Sequence, residues 1–212
     1  MNNNASENAK ETARLEAFSD GVIAIAITLL ILDIKVPEAD QLPAGGLLVA
    51  LLNQWPTYAA YLISFVTILI MWVNHHSLFT YIKRVDHGLL LLNGLLLMTI
   101  TIVAFPTSLV SRYIQLPDGK VAAAIYAFTF VVNAVLWNAV WRYASHNNRL
   151  LDKNTSPDFI KRTNRSFLIG TPTYLLAFIF AFINVYISLG ICALLAVFYA
   201  ISPHARRHSL DI

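Results

Sequence analysis

The chain has 212 residues, of which 57% are hydrophobic and 13% charged, with a mean hydropathy of +0.60. Water-soluble domains carry about 25% charged residues, so the composition excludes an ordinary soluble fold and points to a chain solvated by lipid. The net charge of +3 and pI near 9.0 would suit a nucleic-acid partner, but in so apolar a chain the placement of the cations is the better guide.

Residues 41–82, 87–111, 121–141 and 166–205 contain no Asp, Glu, Lys or Arg. A helix needs about 20 apolar residues to cross a bilayer. The second and third runs each fit one span, the fourth fits two, and the first fits one span plus a shorter segment. An apolar stretch at 21–32, bounded by Asp20 and Asp33, opens the series. The expected fold is an all-α integral membrane protein of six spans, forming one domain over residues 1–212.

Residues 1–12 are polar and are expected to fray. The first span covers about 14–36, where Pro37 stops it. Its leader is acidic (Glu7, Glu11, Glu16, Asp20) and lacks a small-residue cleavage pattern, so this span should stay in the mature protein. Leu47–Leu52 is too short to cross and should lie along the interface. The second span, about 56–83, has Trp55, Tyr58 and Tyr61 at one end and Phe79 and Tyr81 at the other, as an aromatic belt requires. The third covers about 88–113 and should be kinked by Pro106. The fourth covers about 120–143, the fifth about 158–182 with Pro172 inside it, and the sixth about 186–201, ending before Pro203. Cys192 is the sole cysteine, which rules out an intramolecular disulfide and a thiolate metal cluster.

The cations orient these spans. With the N-terminus inside, the inner segments hold Lys10, Arg14, Lys83, Arg84, Arg142, Arg149, Lys153, Lys161, Arg162, Arg165, Arg206 and Arg207, and the outer ones only Lys35, Arg112 and Lys120. Twelve against three places both termini in the cytoplasm and accounts for the basic pI without nucleic acid.

Ionisable groups inside a span cost several kcal/mol unless partnered, so each needs a reason. The first span is the anomaly, with Arg14, Glu16, Ser19 and Asp20 crowding its inner half. At 100° per residue, Phe18, Gly21, Ile25, Thr28, Leu29 and Leu32 share one side, and Asp20, Ala24, Ile27 and Ile31 another. Periodicity leaves two readings of Asp20: a polar path, or a buried anchor to a neighbouring helix. In the second span, His75 and His76 diverge by about 100° and cannot both bind one metal, so with Trp72 and Asn74 they read as polar groups knitting helices together. No metal site and no catalytic motif is expected. Ser19, Asp20 and a histidine are the only raw material for a membrane hydrolase.

Arg14-Leu-Glu-Ala-Phe18-Ser19-Asp20 reads R-x-x-x-F-S-D at the start of the first of six spans. With the short segment after that span and the Trp72-x-x-His75-His76 stretch, it resembles the transmembrane-protein-175 family of potassium channels, whose bacterial members have six helices per chain. The resemblance covers most of the chain. It implies a homotetramer in a prokaryotic plasma membrane, the first helix of each subunit lining a central pore for monovalent cations, with no cofactor. The chain has no T-V-G-Y-G filter. The resemblance puts the pore constriction on rings of Ile25, Leu29 and Leu32, with Thr28 supplying a hydroxyl ring. It makes Arg14 and Asp20 structural, tying the first helix to the second and third, with His75, His76 or Asn93 as candidate partners of Asp20. The eukaryotic members carry two six-helix repeats and this chain one, so four copies would be needed. A secondary transporter is the competing reading, with the prolines of the third and fifth spans in its favour.

Overall fold

A computed structural model describes residues 2–201 of the chain, with side chains from Glu7 onward. Arg206, Arg207 and Pro203 lie outside the described residues. Among the described residues there are eight α-helices: α1 (Asn2–Leu29), α2 (Gly46–Asn53), α3 (Trp55–Phe79), α4 (His87–Ile102), α5 (Ala104–Tyr113), α6 (Gly119–Ser145), α7 (Pro157–Ala181) and α8 (Val185–Ile201). The only β pairing among the described residues is an isolated antiparallel bridge, Ile82 with Leu151, joining the segments after α3 and α6.

Both ends of the first span are corrected. The helix begins at Asn2, not near Arg14, because Ala5, Glu7, Ala9, Lys10, Glu11 and Ala13 include the strongest helix formers and no glycine or proline interrupts them. It tightens into a 3₁₀ turn over Leu30–Asp33 and ends there, with Ile34 already extended. Pro37 forces Val36 out of the α region, and β-branched Ile34 does little to hold the intervening turn.

The third span is two helices broken at Val103, whose N–H donates to Ile100 rather than Thr99. Pro106 has no N–H for the Ile102 carbonyl, so the chain tightens one turn earlier. Pro172 behaves differently: α7 runs through it unbroken. The helices at Pro106 and Pro172 are therefore not the matched pair of broken helices that favoured a transporter.

Among the described residues, four segments are long and apolar enough to cross a membrane: Glu7–Asp33, Trp55–Phe79, His87–Tyr113 and Gly119–Asn148. Helix α7 has the length, at 25 residues, but opens with Asp158, Lys161, Arg162 and Arg165. Helix α8 is apolar and has 17 residues. Helix α2 has eight residues, too short to cross a membrane, and none of them is buried.

Helix α6 is the hub, touching α4, α5, α7 and α8. Its buried side is rich in small residues (Ala122, Ala123, Ala127, Ala134, Ala144), which lets neighbours approach closely, with Trp137 and Trp141 filling the wider gaps. Helix α1 lies to one side, against α3 and α4.

Asp86 caps α4, accepting the Leu89 N–H at 2.9 Å and the Tyr143 hydroxyl at 3.1 Å, and it pairs with Arg149. Partial burial pushes its pKa up, but the backbone bond, the tyrosine and the arginine together outweigh that and hold it below the ordinary carboxylate value. A depressed folded pKa gives stability that is complete above the ordinary carboxylate range and is lost as pH falls through the folded value. Asp86→Ala should therefore cost about 1 kcal/mol at neutral pH, the usual effect of losing an N-cap. In detergent melts its Tm should fall less on acidification than that of the wild type; parallel pH profiles would refute the assignment.

Candidate functional site

Helix α1 divides into three sides. One is buried inside the subunit: Thr12, Leu15, Ser19, Ile23, Ala26 and Leu30 recur at three- and four-residue steps, as a helical packing face must. Neither side singled out by the wheel is this one. The side holding Phe18, Gly21, Ile25, Thr28, Leu29 and Leu32 is exposed throughout. Phe18, Ile25 and Leu32 are each 61% exposed and Leu29 49%. The Thr28 hydroxyl donates to the Ile25 carbonyl at 2.9 Å, so it is satisfied within the helix while its oxygen faces outward.

Two sets of polar contacts fasten α1. In the buried set, Ser19 Oγ donates to the Leu15 carbonyl at 2.8 Å and accepts from Asn93 Nδ2 of α4 at 2.9 Å. Asn93 Oδ1 accepts from His75 Nε2 of α3, also at 2.9 Å. Ser19, His75 and Asn93 are each 0% exposed, so these bonds operate without competing water. Because the amide oxygen only accepts, His75 carries its proton on Nε2, and its Nδ1 has no partner among the described residues. The His75 ring stacks on Phe79 with centroids 4.3 Å apart.

The second set runs along the edge of the α1–α3 contact. Trp72 Nε1 donates to Asp20 Oδ1 at 2.8 Å, and His76 Nδ1 lies 2.8 Å from Glu16 Oε1. Glu16 and Asp20 are four residues apart on α1, as are Trp72 and His76 on α3, so two antiparallel helices match rung to rung. The partner of Asp20 is thus Trp72, not His75, His76 or Asn93. Ser19 and Asp20 point about 100° apart, so Ser19 meets the His75–Asn93 seam and Asp20 meets the next edge of α3. Glu16 was absent from the candidate site residues, although its four-residue spacing from Asp20 was the signal that could have found it.

Arg14 is exposed and lines an open groove of about 590 Å³ between α1 and α4, with Glu11, Phe18, His87 and Gly94. It makes no hydrogen bond or ion pair among the described residues. His75 and His76 diverge to different partners, and no cluster of three His, Cys, Asp or Glu is present among the described residues. Ser19 and His75 share no hydrogen bond: Asn93 stands between them, so they do not form the nucleophile–base pair that a hydrolase needs.

These contacts hold one helix in a fixed rotation with an uncovered aliphatic side, and similar proteins share the frame. Residues 14–104 match the family described as "Endosomal/lysosomal potassium channel TMEM175". A potassium channel of Chamaesiphon minutus is 45% identical over 195 residues, which is 92% of this chain and 96% of that one. One of Streptomyces collinus is 45% identical over 190 residues, 89% and 91% of the two chains. The crystal structure of a lysosomal potassium-selective channel TMEM175 homolog from Chamaesiphon minutus matches with a TM-score of 0.82 at 43% identity, covering 90% of this chain and 97% of that chain. With the motif, the fold and near full-length identity in agreement, the chain belongs to the TMEM175 family.

Proposed function

We propose that the chain is one subunit of a homotetrameric, potassium-permeable cation channel of the plasma membrane, with six spans, both termini cytoplasmic, and α1 of each subunit lining a central pore. The observation that carries this is the uncovered side of α1. It holds Ile25, Thr28, Leu29 and Leu32 beside Gly21, where an added Cβ would meet nothing within 4 Å. Glycine inside a helix costs roughly 1 kcal/mol relative to alanine, and nothing in the subunit requires it there. A helix from another copy passing close by would. Lipid on this side would also have to meet the exposed Glu11 and Arg14, which a water-filled vestibule accommodates. The bacterial relatives named as potassium channels support the same reading.

In such a pore Ile25, Leu29 and Leu32 form stacked aliphatic rings. Rings of this kind cannot replace an ion's hydration shell as carbonyls do; they block by excluding water when narrow. Widening admits a hydrated or partly hydrated cation, and potassium, which holds its water less tightly than sodium, crosses an apolar neck at lower cost. Ile25 is the narrowest of the three rings, and Thr28 offers its oxygen one turn away. The paired contacts from Ser19, Asp20 and Glu16 to α3 and α4 set the rotation of α1, and hence which side chains reach the axis.

Reconstituted protein should have the mass of a tetramer with four-fold symmetry. Liposomes containing it should release potassium down its gradient without a coupled ion. A monomer, or saturable flux that requires a counter-ion, would instead favour the transporter.

A further inference from the structure

Helix α7 lies across the bundle from the candidate pore: its main neighbours are α6 and α8, whereas those of α1 are α3 and α4. Its inward face is Thr163, Ser166, Phe167, Gly170, Tyr174, Ala177 and Ala181. Its outward face changes character along its length. Lys161, Arg162 and Arg165 are exposed within one and a half turns, followed directly by exposed Leu168, Ile169, Leu176 and Ile179. None of the three cations makes a hydrogen bond or ion pair among the described residues. Asp158, the one carboxylate on that face, pairs with none of them.

Depth explains the order. The uncharged part, Ser166–Ala181, rises about 24 Å at 1.5 Å per residue, a few ångströms short of a hydrocarbon core of about 30 Å. The three cations therefore sit at headgroup level, their stems lying against the acyl region. The uninterrupted apolar stripe below them fits acyl chains, whereas an acidic protein partner would match only the cations. We propose that this face of α7 binds an anionic phospholipid, its phosphate held by Lys161, Arg162 and Arg165 and its chains lying on Leu168, Ile169 and Leu176. The site needs the chain to be embedded in a membrane, but not that it conduct ions.

The test is native mass spectrometry and thermal shift on the full chain in detergent, with phosphatidylglycerol against phosphatidylcholine. Wild type should retain phosphatidylglycerol preferentially, and glycerol phosphate should not displace it. K161Q/R162Q/R165Q should bind it on the order of 100-fold more weakly, as expected for losing three cations at an anionic surface, while R162K/R165K keeps most of the affinity. Should the triple variant not fold, R165Q alone should still weaken binding roughly fivefold. Equal retention of both lipids by the wild type, unchanged binding by the glutamine variants, or displacement by glycerol phosphate would overturn the proposal. The last would indicate a simple anion site.

Discussion

Ile25→Asn should raise the potassium conductance of reconstituted protein by roughly tenfold, equivalent to lowering the permeation barrier by about 1.4 kcal/mol. The side chain is 61% exposed on α1 and is not part of the subunit's buried core, so the substitution should leave the fold intact. In the proposed tetramer its effect falls on the pore. A ring of isoleucines repels water when narrow, whereas a ring of amides of similar reach holds water and lets the ion keep part of its shell. Ile25→Thr should act in the same direction. Selectivity for potassium over sodium should fall as conductance rises, because an apolar neck discriminates by hydration cost. Single-channel currents and liposome flux both read this. Unchanged conductance in both variants, with tetramers intact, would remove Ile25 as the constriction and shift attention to Leu29 or Leu32.

The largest stability effect is expected at Asn93. Asn93→Leu removes two buried side-chain hydrogen bonds at once, to Ser19 and to His75, and strands the His75 Nε2–H where no water reaches. Each lost bond contributes about 1 kcal/mol, and an orphaned buried donor costs about 1–3 kcal/mol more, giving a total of roughly 3–5 kcal/mol. For a chain of this size that corresponds to a fall in Tm of roughly 6–20 °C. Adding His75→Phe should recover part of the loss, because apolar groups then replace both partners and Phe79 still offers a stacking face. Ser19 keeps its bond to the Leu15 carbonyl in either variant. If the single variant melts within a degree of the wild type, the seam contributes nothing and the rotation of α1 must be set elsewhere. If the double variant is less stable than the single one, His75 matters for a reason other than this bond.

Both predictions depend on the rotation of α1, and that is where reading the sequence reached its limit. The wheel grouped Ile25, Thr28, Leu29 and Leu32 correctly, because spacing alone determines which residues share a side. It did not identify the packing side. Over residues 21–32 the helix is apolar on nearly every side, so hydropathy contrast disappears there, and the buried side is marked instead by Ala26 and the preceding Ser19. The same limit explains Asp20. Its need for a partner was legible, since a lone carboxylate in a span is costly. Trp72 was the available donor, and only the antiparallel match of α1 with α3 shows that Glu16–His76 and Asp20–Trp72 form together.

Elsewhere the local signals carried far. The short helix after the first span, the break ahead of Pro106 and the polar connection between α6 and α7 follow from composition, proline chemistry and charge. The early start of α1 departs from the fraying expected of a polar leader, because polarity does not oppose helix and these residues favour it over nearly the whole leader.

By itself, then, the sequence determined that the chain is helical and lipid-solvated and which of its residues share a helix side, because charge, hydropathy and the 3.6-residue period act locally. Only the tertiary structure decided which side of α1 is buried, which donor meets Asp20, and that Pro172 leaves its helix whole. Those outcomes depend on which surface a neighbouring helix presents, and no local pattern encodes that surface.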